Sequence, residues 1–157
     1  DETLRRFFSR ARHLGLALGP VLYQLPPNWA FDEARFATFL AALPRMYRHA
    51  VEFRDPSWYN ARALALLERH HVALCLHDME GSASGKVDVG PFTYVRFHGT
   101  ARYSGSYSDE TLAGWADYLV SQLNSRRLVF AYFNNDIGGH APRDAARLRD
   151  AVAQRLR

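Results

Sequence analysis

Short apolar runs alternate with longer segments of helical periodicity along the chain, and this alternation limits the folds available to it. The runs occupy residues 21–25, 49–54, 72–77, 92–98 and 128–133. Each is too short for a typical helix, and each is largely apolar rather than apolar at every second position, as in strands covered on both faces. Strands separated by helices pair in parallel through right-handed crossovers. The sequence therefore predicts an α/β fold with about five strands and five helices.

The segments between the runs have apolar residues at helical spacing and recognisable caps. Helices are predicted over residues 3–14, 60–71 and 142–156, and from the caps Asp32 and Ser108 to about Leu43 and Asn124. The side-chain oxygens of Asp32 and Ser108 can accept hydrogen bonds from first-turn N–H groups, which is why these residue types favour N-caps.

One connection, residues 79–91, lacks helical periodicity. It contains Gly81, Ser82, Ser84, Gly85 and Gly90. A loop of this length in a compact domain is usually functional or disordered. The sequence leaves two interpretations open, a lid over the strand ends or a mobile surface loop.

The composition fits one globular domain over residues 1–157, with 48% hydrophobic residues. No apolar run reaches membrane-spanning length, so we expect no membrane partner. The single cysteine, Cys75, lies in an apolar run and is expected to be a buried, inert thiol. One cysteine cannot form an intramolecular disulfide, and we expect a reducing, cytoplasmic location. The sequence does not indicate an oligomeric state.

The formal net charge of +4 permits an anionic partner, either a small molecule or a nucleic acid. It does not require one, because much of the excess is arginine in the two terminal helices, where arginine on a solvated face is common.

Polar residues lie at or just after the C-terminal end of each of the five runs. They are Gln24, Glu52, Arg54, Asp78, Arg96, His98, Asn134, Asn135 and Asp136. The carboxyl ends of parallel strands are where α/β sheets and βα barrels bind ligands. Their recurrence at successive strand ends therefore predicts one shared site.

Strand alternation divides these residues between two faces. Glu52 and Arg54 are two positions apart and share a face, as do Arg96 and His98. The helix-covered face suits the neighbouring Phe53, Val95 and Phe97. The four polar side chains are therefore predicted to point inward, where burial is costly unless they pair or contact a ligand.

A structural alternative stays open for each of these residues. Glu52 could form an ion pair with Arg54 or Arg96, and His98 could be a satisfied turn residue. Asn134, Asn135 and Asp136 could simply form a turn. Gln24 could bond loop backbone. The aromatic residues Trp58, Tyr103 and Tyr107 could pack rather than stack on a ligand.

Several strand-end residues could ligate a metal. They are Glu52, His77, Asp78, His98, Asp136 and His140. No pair has the close spacing of a metal motif, so the cofactor is unknown and a divalent metal is possible. The sequence has no glycine-rich phosphate fingerprint and no nucleophile elbow.

The same residues carry a family resemblance. Residues 19–27 (GPVLYQLPP), 51–58 (VEFRDPSW), 94–99 (YVRFHG) and 132–136 (YFNND), with 140–142 (HAP), resemble the DUF72 family, also called YecE-like or UPF0759. Order and spacing agree over nearly the whole chain. The resemblance implies a TIM-type (β/α) barrel, loosely comparable with sugar isomerases and endonuclease-IV-like barrels, but no defined reaction.

The resemblance also implies that this chain is the C-terminal portion of such a barrel. Family members have roughly three further strands before the first motif, and a TIM barrel closes with eight. We therefore expect a partial barrel whose open edges need cover, for example by dimerisation.

The leading functional hypothesis is a sugar-isomerase-like or hydrolase-like enzyme acting on an anionic or polyhydroxylated small molecule. Glu52 would be general base or metal ligand, His98 acid/base, and Asp136 would orient hydroxyls or a metal. Substrate contacts would come from Gln24, Arg54, Trp58, Asp78, Arg96, Tyr103, Asn134, Asn135 and His140. Two alternatives remain, a nucleic-acid-binding or processing barrel and a non-catalytic interaction domain, so enzyme activity itself is left open.

Overall fold

The computed structural model describes residues 2–79, 83–101 and 103–157 and divides the chain into two compact units. The first unit spans Asp1–Ala73 and the second Leu74–Arg157. Gly81 and Ser82 of the predicted loop lie outside the described residues. In the described part of the chain, no helix has both the length and the apolar content needed to cross a membrane.

The first unit is a pair of parallel strands with three α-helices. Its elements are α1 (Glu2–Ala11), a 3-10 helix (Arg12–Ala17), β1 (Val21–Gln24), α2 (Glu33–Ala41), β2 (His49–Glu52), a 3-10 helix (Pro56–Trp58) and α3 (Ala61–Arg69). The register sets Val21 opposite His49 and Gln24 opposite Glu52. Asp32 caps α2 as predicted, its carboxylate accepting a hydrogen bond from the N–H of Arg35.

The second unit contains three parallel strands and two long helices. Its elements are β3 (Ala73–Asp78), which begins at the last residue of the first unit, β4 (Phe92–Phe97), α4 (Asp109–Asn124), β5 (Leu128–Phe133) and α5 (His140–Arg155). The register sets Asp78 opposite Phe97, and Phe97 opposite Phe133, so three strands end side by side. The predicted α/β class, with five strands and five α-helices, is confirmed for the described residues. Closure into a TIM-type barrel stays a prediction.

Aromatic side chains form the helix-facing side of both units. In the first unit Phe53 stacks on Trp58, with ring centroids 5.2 Å apart, and Phe36 of α2 contacts both rings. In the second unit Phe97 stacks on Phe133 at 4.4 Å and meets Trp115 of α4 edge to face. The prediction that Phe53 and Phe97 face the helices is therefore confirmed.

The described end of the 79–91 loop is held against β3 and α4. Ser84 exchanges hydrogen bonds with the backbone of His77. The Lys86 ammonium lies 4.6 Å from the Trp115 ring centroid, and Asp88 accepts a hydrogen bond from the Tyr118 hydroxyl. The contacts of Ser84, Lys86 and Asp88 therefore hold this part of the loop in place, although its sequence has no helical or strand periodicity.

Three local features differ from the sequence prediction. Helix α1 ends at Ala11 rather than 14, and the 3-10 helix Arg12–Ala17 follows it. Helix α5 begins at His140 rather than 142, because Pro142 is tolerated in a first turn, whose N–H groups have no partner within the helix. The sequence analysis missed the 3-10 turn Pro56–Trp58, although Asp55 before Pro56 is a turn signal; the Asp55 carboxylate accepts from the Ser57 N–H at 2.9 Å.

A buried histidine of the first unit generates a pH prediction. His49 Nε2 lies 2.9 Å from the Pro44 carbonyl, which can only accept, so Nε2 carries the proton and Nδ1 accepts from the Tyr23 hydroxyl. Burial lowers the pKa of His49 below its ordinary 6.5, although the bond to Pro44 partly opposes this. The unfolded chain therefore binds a proton more readily than the folded chain. The stability from neutral His49 is fully present above about pH 6.5 and is lost as pH falls through the lower folded pKa.

We expect the urea midpoint of the wild-type chain to fall between about pH 7.5 and pH 5.5, and this fall to shrink in His49→Gln. His13→Gln is the matched control, because it makes the same replacement at an exposed histidine. An equal pH dependence in wild type and His49→Gln would contradict the assignment.

Candidate functional site

The strand ends of the second unit bring several predicted site residues together. Arg96, on β4, donates from Nε to Asn134 Oδ1 at 3.1 Å. Backbone bonds continue the sheet beyond the strands: the His98 N–H donates to the Asp78 carbonyl at 2.8 Å and the Asn134 N–H to the Phe97 carbonyl at 2.7 Å. We call Asp78, Arg96, His98, Tyr103 and Asn134 the strand-end cluster.

His98 and Tyr103 form an aromatic contact within this cluster. The His98 side chain is fully buried, and its ring centroid lies 5.4 Å from that of Tyr103, with the ring planes at 78°. Tyr103 is 37% exposed, so this contact joins a partly exposed ring to a fully buried one. Its φ of 59° is unusual for a bulky residue and indicates a backbone conformation held by its surroundings.

Asp78 is oriented by two residues that precede or lie on α4. The Trp115 indole N–H donates to Asp78 Oδ2 at 2.9 Å. The Tyr107 hydroxyl donates to the Asp78 carbonyl at 3.3 Å and accepts from the Gly99 N–H at 2.9 Å. Burial, reinforced by the nearby Asp78 charge, raises the pKa of Tyr107, so the hydroxyl keeps its proton and can donate.

A second polar network lies beside the cluster, and the sequence analysis missed most of it. Its centre is Asp144 of α5, which is fully buried and accepts from Ser106, Tyr107, Asn135 and Arg147. Burial favours the neutral acid, but the accepted hydrogen bonds outweigh burial and hold the pKa of Asp144 below its ordinary 3.8. Asn135, predicted as a substrate contact, is fully buried in this network.

Asp136 and His140 lie at the turn that leads into α5. Asp136 is exposed, and its carbonyl accepts from the Gly139 N–H at 2.8 Å. His140 is half-buried and is the first residue of α5. This is the turn arrangement that the sequence kept as an alternative for residues 134–136, and the catalytic role of Asp136 stays a prediction.

Two of the predicted site residues of the first unit form an ion pair, and two others line a cavity. Arg54 Nη2 pairs with Glu52 Oε1, and their side chains are 6% and 0% exposed. A buried pair of this kind is the structural alternative described for Glu52. Gln24 and Trp58 line a cavity of about 880 Å³ with the aromatic residues Tyr23 and Phe39. Trp58 is 1% exposed and donates from its indole N–H to the Trp29 carbonyl, so it serves mainly as a packed wall.

Within residues 2–79, 83–101 and 103–157, no three His, Cys, Asp or Glu side chains are grouped closely enough to hold a metal ion. Of the six donors considered from the sequence, Glu52 belongs to the first unit and the other five to the second. A divalent metal stays a possibility raised by the sequence alone.

The motifs and the fold agree with one protein family. The family model described as "Protein of unknown function DUF72" matches residues 1–157, which confirms the resemblance given by the motifs. A DUF72 family protein from Thermotoga maritima is 25% identical, with a TM-score of 0.85 over 97% of this chain and 65% of that one. Two structures of a DUF72 family protein from Enterococcus faecalis are 19% and 18% identical, with TM-scores of 0.82 and 0.73 over 97% of this chain and 66% of theirs. The chain thus spans about two thirds of the length of these solved structures, and no curated protein matches it.

The buried Glu52–Arg54 pair yields a stability prediction. Glu52→Ala leaves the Arg54 charge buried without this partner, and we expect a loss of about 3–5 kcal/mol in the free energy of unfolding by urea titration. The double variant Glu52→Leu/Arg54→Met removes both charges and should recover most of that loss. Glu33→Ala is the control, since its pair with Arg62 is largely exposed and should change stability little. If the double variant is no more stable than Glu52→Ala, the ion-pair account is wrong.

Proposed function

The chain belongs to the DUF72 family, and we propose that it binds an anionic, hydroxyl-bearing small molecule at the strand-end cluster of the second unit. The supporting observation is the Arg96–Asn134 hydrogen bond at the ends of β4 and β5, beside buried His98. Ligands of parallel α/β folds bind at this edge because the strand ends leave polar groups in a concave position.

Arg96 supplies the anion contact in this proposal. Asn134 accepts from its Nε–H, and a planar guanidinium fixed at Nε has both Nη groups fixed in direction. That geometry suits the two-point binding of a carboxylate or phosphate. Asp78 stands opposite Phe97, and its carboxylate accepts from Trp115 of α4, so in the proposal it holds the end of β3 in place beside the Arg96 strand.

His98 and Tyr103 supply the proton-transfer groups if the bound molecule is also turned over. An imidazole is the side chain best matched to proton transfer near neutral pH, and such catalysis typically contributes about 10²–10⁴-fold. Tyr103 lies against His98 and limits water access to it. The proposed reaction class is isomerase-like or hydrolase-like acid–base chemistry, with Asp136 and His140 at the rim.

In the proposal, the predicted site residues of the first unit have a structural role. Glu52 and Arg54 neutralise each other's charge, and Trp58 packs against Phe53. We assign Glu52 a positioning role, because its carboxylate is buried and paired with the Arg54 guanidinium.

The test is binding of inorganic phosphate and glycerol 3-phosphate, measured by calorimetry at low salt. Arg96→Gln should weaken binding about tenfold or more, since a hydrogen bond to a charged group contributes about 1.5–3 kcal/mol. Arg149→Gln removes the same formal charge from an exposed side chain of α5 and should leave the affinity unchanged.

Three results would contradict the proposal. Equal weakening in Arg96→Gln and Arg149→Gln would indicate attraction by net charge alone. Absence of phosphate binding, together with duplex DNA binding that falls steeply with salt, would favour the nucleic-acid alternative. Absence of binding to either probe would favour an interaction domain.

A further inference from the structure

Tyr103 lies in a turn whose backbone is strained, because its φ is 59°. A bulky residue at positive φ is strained and persists only where surrounding contacts determine the conformation. Ala101 and Ser104 exchange two backbone hydrogen bonds, at 3.1 and 3.0 Å, and so close a tight turn that contains Tyr103. The Ile137 N–H donates to the Tyr103 carbonyl at 3.2 Å. These contacts close the turn but do not fasten the whole segment to a helix.

Two glycines allow the segment to fold closely on itself. Gly99 has a φ of 92°, and a Cβ there would lie 2.1 Å from the Ser104 carbonyl oxygen. Gly105 has a φ of 79°, and a Cβ there would lie 2.2 Å from Thr100 Oγ1. Residues 99–101 and 103–107 therefore fold closely together, and we call them the Tyr103 loop.

Helix α5 fastens the Tyr103 loop at its far end. Asp144 Oδ1 accepts from Ser106 Oγ at 2.8 Å, and Asp144 Oδ2 accepts from the Tyr107 N–H at 3.0 Å. Asn135, just after β5, donates from Nδ2 both to Asp144 Oδ2 at 2.8 Å and to the Gly105 carbonyl at 2.9 Å. A single buried carboxylate thus joins the loop, the end of β5 and α5.

Arg147 completes this arrangement from the next turn of α5. Its Nη1 donates to Asp144 Oδ1 at 2.7 Å and to the Tyr107 carbonyl at 2.9 Å. The two residues are three positions apart, so they share one face of the helix. Arg147 also pairs with Asp109 at the start of α4. The charge of Asp144 is therefore buried but compensated.

The Asp144 carboxylate accepts hydrogen bonds from four groups, and a charge with several directed hydrogen bonds selects one arrangement of its donors. The donors selected by Asp144 are those of the Tyr103 loop. We propose that Asp144 is a positioning residue for the strand-end cluster, which holds the Tyr103 loop so that the Tyr103 ring stays against His98.

This inference rests on the proposed function only for its effect on ligand binding. The contact between Tyr103 and His98 can be observed without a ligand, as proton–proton contacts between the two rings in NMR spectra. The two ideas can therefore fail separately.

The test variant is Asp144→Asn, which keeps the shape of the side chain but places an NH2 group against the donors Tyr107 N–H or Asn135 Nδ2. We expect the Tyr103–His98 contacts to be lost and the inorganic phosphate affinity to fall about tenfold, the order expected when positioning contacts are removed. Asp150→Asn is the matched control on the same helix, because Asp150 is largely exposed and pairs with Arg149. It should change neither measurement.

Ser106→Ala is a milder second variant, because it removes one of the hydrogen bonds to Asp144 and leaves the carboxylate partnered. It keeps the test decisive if Asp144→Asn does not fold, and it should weaken the ring contacts and the phosphate affinity in part. If the folded variants unfold at lower temperature but retain wild-type ring contacts and phosphate affinity, Asp144 is only structural and the inference is overturned. Loss of ring contacts in a chain whose wild type binds no phosphate would support the positioning role of Asp144 and reject the proposed function.

Discussion

The parallel register of β4 with β5 is the constraint on which the candidate site depends. It sets Arg96 opposite Tyr132 and Phe97 opposite Phe133, and the next backbone bond runs from the Asn134 N–H to the Phe97 carbonyl. Asn134 therefore begins its turn one residue beyond the strand, within reach of the Arg96 guanidinium. Because side chains alternate along a strand, a slip of one residue would turn Arg96 toward the helices and replace Phe97 in the aromatic layer.

The two units hold buried charge in different ways. Glu52 and Arg54 neutralise each other two positions apart at the end of β2. Asp144 instead collects hydrogen bonds from a helix, a loop and a strand end, which makes it a junction rather than a pair. A pair can be replaced by apolar residues with little change in the surrounding backbone. Asp144 cannot be replaced in this way, because removing its charge leaves donors from the helix, the loop and the strand end without a common acceptor.

Local sequence was sufficient for the elements and for the facing of the strands. Continuous apolar runs identified the strands, and the side chains of Asp32 and Ser108 accept the capping hydrogen bonds expected of them. Two-residue alternation placed Phe53 and Phe97 against the helices because the pleat alone decides which side a residue faces. The order and spacing of four motifs indicated the family before any coordinates.

Sequence reasoning could not reach contacts that depend on long-range proximity. Asp144 lies in an arginine-rich amphipathic helix, where an acidic residue is usually solvated, and its loop partners are 37 and 38 positions away. The sequence could not tell whether Trp58 packs in the core or stacks on a ligand, and its burial against Phe36 and Phe53 shows that it packs.

The direct measurement of the central claim is a 15N NMR titration of arginine Nε signals with inorganic phosphate. The account predicts a saturable shift of Arg96 Nε, with His98 and Tyr103 ring signals moving at the same phosphate concentrations. Shifts confined to exposed arginines such as Arg149, or changes that do not saturate, would contradict it.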